Sequence, residues 1–210
     1  MRKIFWILFA AFSFSFVACS EETEVGEFEG NWEERNAAYI DSIATVARAN
    51  QGEVSGKWRV LPSFHLNDYS SSDNQEYAFA KILQVGQGTE SPLYTDSVSV
   101  SYRGRLIPTV SYPEGYMFDQ NYYGDLVTIN KDGTISLDEE NARIMVPSTF
   151  TVNGVVEGWS TALMKMHVGD IWRLYIPQSM AYGSSTSNSS IPAYSTLVFD
   201  VYLREINPKE

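Results

Sequence analysis

The sequence has one cysteine, two histidines and only 15 basic residues among 210. The single cysteine, Cys19, excludes an intramolecular disulfide framework and any cysteine-cluster metal site. His65 and His167 lie far apart in sequence and leave little for a histidine-rich metal centre, so neither a metal nor a cofactor is expected. Against 15 Lys and Arg stand 26 Asp and Glu, a formal charge of −11. An anionic surface of that size repels nucleic-acid phosphates and anionic headgroups, which excludes a nucleic-acid partner. Long apolar runs are also missing. The longest, Ile4 to Ala18, is too short to span a bilayer comfortably.

That run follows the basic start Met1-Arg2-Lys3 and reads as an export signal over residues 1–18. Its removal leaves 13 basic against 26 acidic residues, or −13. It ends Phe16-Val17-Ala18-Cys19, which resembles the lipobox of bacterial lipoproteins, with Phe16 in place of the usual Leu. The resemblance implies that Cys19 is lipidated and becomes the mature first residue. The plain alternative is an ordinary signal peptide cleaved near Ala18, leaving a free thiol that would be unusual in an exported protein. Ser20-Glu21-Glu22-Thr23-Glu24 is similar to the acidic stretch behind the lipidated cysteine of surface-displayed Bacteroidetes lipoproteins; read without that likeness, it is a solvated tether. Residues 19–30 are therefore expected to be an acidic tether. A lipid anchor at Cys19 would place the protein on the bacterial outer membrane, facing the periplasm or the cell surface.

From Asn31 to Asn50 apolar residues recur at Trp32, Tyr39, Ile40, Ile43, Val46 and Ala47, the spacing of an amphipathic helix that docks on the main domain. Asn31 and Glu34 form a capping-box signature, and Gly52 follows the end. Residues 31–76 read as this helix and an extension, with a short strand at Lys57 to Leu61 and a polar loop at Asn67 to Gln75. From Tyr77 the pattern turns to strands at Tyr77 to Val85, Val98 to Arg103, Ile171 to Ile176 and Thr196 to Glu205, with a short helix at Ser160 to Met166. The fold class is α+β, an antiparallel sheet with one short helix against it.

Ordered motifs follow one another through residues 77–207: Ser99-Val100-Ser101-Tyr102-Arg103-Gly104, Phe118-Asp119, Val155-Val156-Glu157-Gly158-Trp159, Ala181-Tyr182-Gly183, Ile191-Pro192 and Leu197-Val198-Phe199-Asp200-Val201. In this order and spacing they resemble those of FKBP-type peptidyl-prolyl isomerases. The stretch from Phe150 to Gly183 is especially similar to the macrophage infectivity potentiator branch, whose long helical dimerisation region is absent here. The resemblance implies a half-barrel sheet wrapped on a short helix, with an apolar pocket between them that binds proline-containing peptides or proteins. In it Trp159 would be the floor, with Tyr102, Phe118, Val155, Val156 and Phe199 as walls and Ile191 on the loop rim. Tyr182 and the Val156 N–H would donate hydrogen bonds to peptide carbonyls, and Asp119 would orient Tyr102 or polarise the site. Read without the resemblance, Trp159, Val156 and Phe199 are also good core residues, and Asp119 a turn acid.

Three departures weigh on activity. The loop Ser184 to Ser190 is short and polar where the family carries a histidine and bulky aliphatics, leaving only Ile191. Ser148 stands where an aromatic wall residue is common, with Phe150 near it. An insertion at about 120–148 displaces the usual arginine partner of the aspartate, for which Arg143 is the candidate. The insertion reads as a hairpin, Val127 and Ile129 against Ile135 and Leu137, turned by Asp132-Gly133. Asn130, Asp132, Gly133 and Glu139 also fall at EF-hand offsets, but Thr128 occupies the obligatory acid position. The leading expectation is a prolyl isomerase acting on extracytoplasmic proteins. The alternative is a binding or chaperone module with little activity, to which the tyrosines Tyr112, Tyr116, Tyr122 and Tyr123 would lend an exposed surface.

Overall fold

The computed structural model describes residues 26–66, 71–131, 135–138, 140, 146–186 and 190–207. Cys19, Arg143, Asp132, Gly133, Glu139 and the middle of the serine loop lie outside the described residues. The elements are α1 (Trp32–Ala49), β1 (Trp58–Pro62), β2 (Tyr77–Gln84), β3 (Ser97–Arg105), β4 (Met117–Gln120), β5 (Val127–Ile129), β6 (Ile135–Leu137), β7 (Ser148–Thr151), α2 (Glu157–Leu163), β8 (Ile171–Ile176) and β9 (Leu197–Asn207).

One antiparallel sheet runs in the order β1-β2-β8-β9-β3-β4, and β7 pairs with the other half of β3. Strand β4 meets Arg103 to Arg105 while β7 meets Ser97 to Val100, so the two are halves of one interrupted edge position with the insertion between them. Side chains alternate across the sheet. Leu61, Ala78, Ala80, Leu174 and Ile176 face α2, and the small alanines let that helix approach closely. Gly158 is part of the same fit, because a Cβ there would lie 2.4 Å from Ile176 Cγ2.

The opposite face carries Tyr77, Phe79, Tyr175 and Val198, covered by Ile40, Ala44 and Ala47 of α1. Strands β5 and β6 do form the expected hairpin, with Thr128 opposite Ser136 in its ladder. Tyr122 and Leu126 of the insertion pack with Leu83 and Ile171 of the sheet, on the face that α1 also covers. The insertion thus extends the cover begun by α1. Between these covers Arg173 holds Asp200 in a two-pronged ion pair, Nε to Oδ1 at 2.6 Å and Nη2 to Oδ2 at 3.0 Å. Burial pulls the Arg173 pKa down, but the bond to Asp200 and its charge outweigh this and raise it.

Several expectations change. Helix α2 begins at Glu157 and ends at Leu163, earlier than the reading of Ser160 to Met166, since Met166 is apolar because it fills the core and not because it continues the helix. The Asn31 capping box is not made: with φ −88° and ψ 33° the residue lacks the extended backbone from which a capping side chain reaches back. The tether does not extend to residue 30. Phe28 packs edge-on against Trp32 at 5.3 Å, and the backbone N–H of Ser111 donates to Glu27 at 2.6 Å. The extension before residue 77 joins the same sheet, since β1 pairs along β2 from Trp58 to Pro62. Of the four tyrosines, Tyr122 is 3% exposed beneath the Arg103 guanidinium and Tyr116 packs edge-on with Phe28; Tyr112, stacked on Phe28 but 40% exposed, and Tyr123, 84% exposed, fit the surface expectation.

Candidate active site

Between α2 and the β3 and β9 strands lies a cleft of about 410 Å³ lined by Tyr102, Asp119, Phe150, Gly154, Val155, Val156, Trp159, Tyr182 and Phe199. Its floor is Trp159, which the first turns of α2 hold in place. Val156, extended at φ −60° and ψ 150°, ends the preceding segment, and its carbonyl accepts from the N–H groups of Trp159 and Ser160. Ser160 Oγ donates to Val152 O at 2.6 Å, tying the helix to the turn before it.

Three aromatic rings pack around Trp159 as walls. Trp159 meets Phe199 at 5.1 Å, Tyr102 at 5.4 Å and Phe150 at 5.8 Å, each edge-to-face, the geometry favoured by the charge distribution of aromatic rings. Gly104 permits the packing behind them: a Cβ there would lie 2.6 Å from the rings of both Phe118 and Phe199. This is a spatial need for glycine in the Tyr-Arg-Gly motif, with no unusual backbone angle involved.

The polar groups sit on one wall and at the mouth. Tyr102 donates its hydroxyl to Asp119 Oδ2 at 2.7 Å, the orienting contact expected of Asp119. Burial, then the bond to Asp119 and its charge, and the neighbouring Tyr182 push the Tyr102 phenol above its ordinary range, so it stays a neutral donor. Tyr182, 41% exposed, stands at the mouth just after the turn Gln178–Met180; Gly183, at φ 60°, donates its N–H back to Gln178 O.

The structure brings Tyr102, Asp119, Val155, Val156, Trp159, Tyr182 and Phe199 together. Phe118 stands one ring behind the wall, edge-on to Phe199 at 5.5 Å, and Ile191 is 3% exposed within the main core instead of lining the rim. Phe150 belongs to the wall, one alternation along β7 from Ser148. Asn121 is a second residue that sequence reasoning missed. Its Oδ1 accepts from Tyr102 N at 2.8 Å, and its Nδ2 donates to Val100 O at 2.9 Å and Ser148 Oγ at 3.0 Å. Where the edge position passes from β4 to β7, this amide side chain replaces a backbone peptide group in the β3 ladder and fixes Tyr102. His167 takes no part, since its backbone N–H and ring both serve Asp170 in a loop.

The family model for FKBP-type peptidyl-prolyl cis-trans isomerase matches residues 88–204. The FKBP-type 22 kDa peptidyl-prolyl cis-trans isomerase of Escherichia coli strain K12 is 40% identical over 126 residues, 60% of this chain and 48% of that protein. Outer membrane protein MIP of Legionella longbeachae is 31% identical over 170 residues, 81% of this chain and 54% of that protein. The crystal structure of a peptidyl-prolyl cis-trans isomerase from Pseudomonas syringae pv. tomato shares the fold, with a TM-score of 0.53 at 23% identity over 86% of this chain and 98% of that one. The chain spans about half the length of the curated relatives it matches. The matched segment contains every residue that lines the cleft, and it covers more than half of the chain: this protein belongs to the FKBP-type peptidyl-prolyl cis-trans isomerase family.

Proposed function

We propose that the chain is a prolyl isomerase acting on extracytoplasmic proteins or peptides from a lipid anchor at Cys19. Rotation about an X-Pro bond faces a barrier of about 18–20 kcal/mol because twisting breaks amide resonance. No covalent bond to the substrate is made or broken, so the reaction needs no nucleophile. Water stabilises the planar, dipolar amide more than the twisted one, and a cleft that removes water while gripping the proline ring favours the twisted form. Trp159, Phe150 and Phe199 supply the apolar surface, and Tyr182 and the Val156 N–H stand where they can hold peptide carbonyls. The observation that carries the reading is the Tyr102 to Asp119 bond inside this aromatic cleft, which keeps the wall ring fixed with its polar edge satisfied.

The test is protease-coupled isomerisation on a panel of X-Pro tetrapeptides, with circular dichroism as the folding control. We expect turnover above the thermal rate. A folded chain without it leaves the cleft a peptide-binding module. The anchor and the outer-membrane location rest on the lipobox likeness, the acidic stretch and a relative named as an outer membrane protein. Metabolic labelling with a palmitate analogue should mark the wild type and not Cys19→Ala; labelling that survives the substitution removes the anchor.

A further inference from the structure

The cleft over Trp159 is not the largest hollow in the molecule. A groove of about 660 Å³ lies between α2 and the edge strand β1, walled by Trp58, Leu61, Phe64 and Met164, with Lys165 at its border. Thr161 also lines it, two residues along α2 from Trp159 and so roughly 200° around the helix. Thr161 is only 3% exposed, and its Oγ1 is buried with no partner among the described residues. An unpaired buried hydroxyl is costly, and here it lies beneath the groove surface. A second cavity of about 280 Å³ shares Glu53 and Arg59 with this groove as lining residues, and there Trp172 Nε1 is likewise buried without a partner.

The backbone along this groove has a free rung. Trp58 turns its peptide groups away from β2, donating to Asn50 O and accepting from Gly52 N, both at 3.1 Å. Ser63 turns the other way and donates to Glu76 O at 2.9 Å. Strand alternation therefore directs Arg59 and Leu61 toward β2, and points the N–H and C=O of Val60 outward into the groove that it lines. Among the described residues no backbone group meets them. Pro62, next in that outward series, offers only a carbonyl.

We propose that this groove is a second binding site, for an extended, proline-free polypeptide segment that adds to β1 as a strand. The outward pair on Val60 calls for a backbone donor and acceptor, which an extended peptide supplies. Its alternate side chains meet Leu61, Phe64 and Met164. Proline at the paired position would have no N–H to give Val60 O, so the two hollows flanking α2 select opposite chemistry. The proposal does not depend on isomerase activity.

The probe is a fluorescein-labelled peptide of alternating valine and threonine with blocked ends, titrated against the full chain by fluorescence anisotropy. Saturable binding is expected. The same peptide N-methylated at every residue, which presents no backbone N–H on either edge, should bind about tenfold more weakly. Val60→Pro, which removes the outward N–H and leaves the β2 ladder intact, should weaken binding several-fold while tetrapeptide isomerisation and the circular dichroism spectrum stay unchanged. An excess of X-Pro tetrapeptide should not displace the probe. Absent saturable binding, equal affinity for the N-methylated peptide, wild-type affinity in Val60→Pro, or displacement by the X-Pro peptide would each overturn the proposal. If the binding pattern holds and no isomerisation is found, the groove stands and the isomerase reading falls.

Discussion

The two faces of the sheet come from the same strands and meet opposite fates. On one face α1 and the inserted hairpin cover Phe79, Tyr175, Leu83 and Ile171. On the other, the seven residues of α2 are too short to reach across to β3 and β4, and the aromatic rings beyond its end remain open to a ligand. Burial is thus a matter of what lies opposite, not of the side chains alone. The covered face supplies stability, and the partly covered face supplies a hollow whose shape is held from behind.

Substitutions on the two faces should therefore separate stability from activity. The largest effect is expected from Phe79→Ala on the covered face, where the ring is fully buried: unfolding stability should fall by about 3–5 kcal/mol, with kcat/KM per folded molecule unchanged. Thermal melting and active-site titration check this. Asp119→Ala, on the open face and on a short edge strand, should lower kcat/KM about tenfold with little change in Tm, since it removes a bond to a charged acceptor. Tyr182→Phe should cost about threefold in kcat/KM, one neutral hydrogen bond, with the fold intact. Equal losses of stability in all three variants would show that the faces are not independent.

The smallest effect is alkaline. Burial raises the phenols of Tyr39, to about 12, and of Tyr122 and Tyr175 on the covered face, and that of Tyr102 in the cleft. Above the ordinary tyrosine value the unfolded chain loses protons that the folded chain keeps, so stability is complete below about pH 10 and declines as pH rises. Tm should fall from about pH 10 upward, while Tyr182→Phe, which lacks the hydroxyl at the mouth, keeps a flat kcat/KM because Tyr102 keeps its proton. A kcat/KM of that variant that drops over the same range would place another group in the chemistry.

Period-two patterning made the strands legible, and the ordered motifs made the floor and most of the wall legible. Both signals are local. The register between β3 and the two halves of its edge partner is not, and it decides that Phe150 reaches the cleft beside Ser148 while Phe118 falls behind Phe199. Asn121 was hidden for the same reason: a polar residue after a strand reads as a turn until the gap it fills is seen. Ile191 and Tyr122 show the converse. Each sits in a segment that looks exposed by composition, yet each is taken in by a core built from distant strands.

The position of β9 bears on how the chain matures. Among the described elements it is the last strand in chain order, and it lies between β8 and β3, pairing Ile171 with Tyr202 on one side and Ser97 with Asn207 on the other. Before it arrives, β1-β2-β8 and β3 with its edge strands are two fragments that share no ladder, each with an open inner edge. Contacts so distant in sequence are slow to close, and unpaired edges attract other chains meanwhile. Neither fragment alone contains the complete cleft. Loss of this eleven-residue strand would leave a chain with most of its cleft motifs and no closed cleft, since Phe199 goes with it.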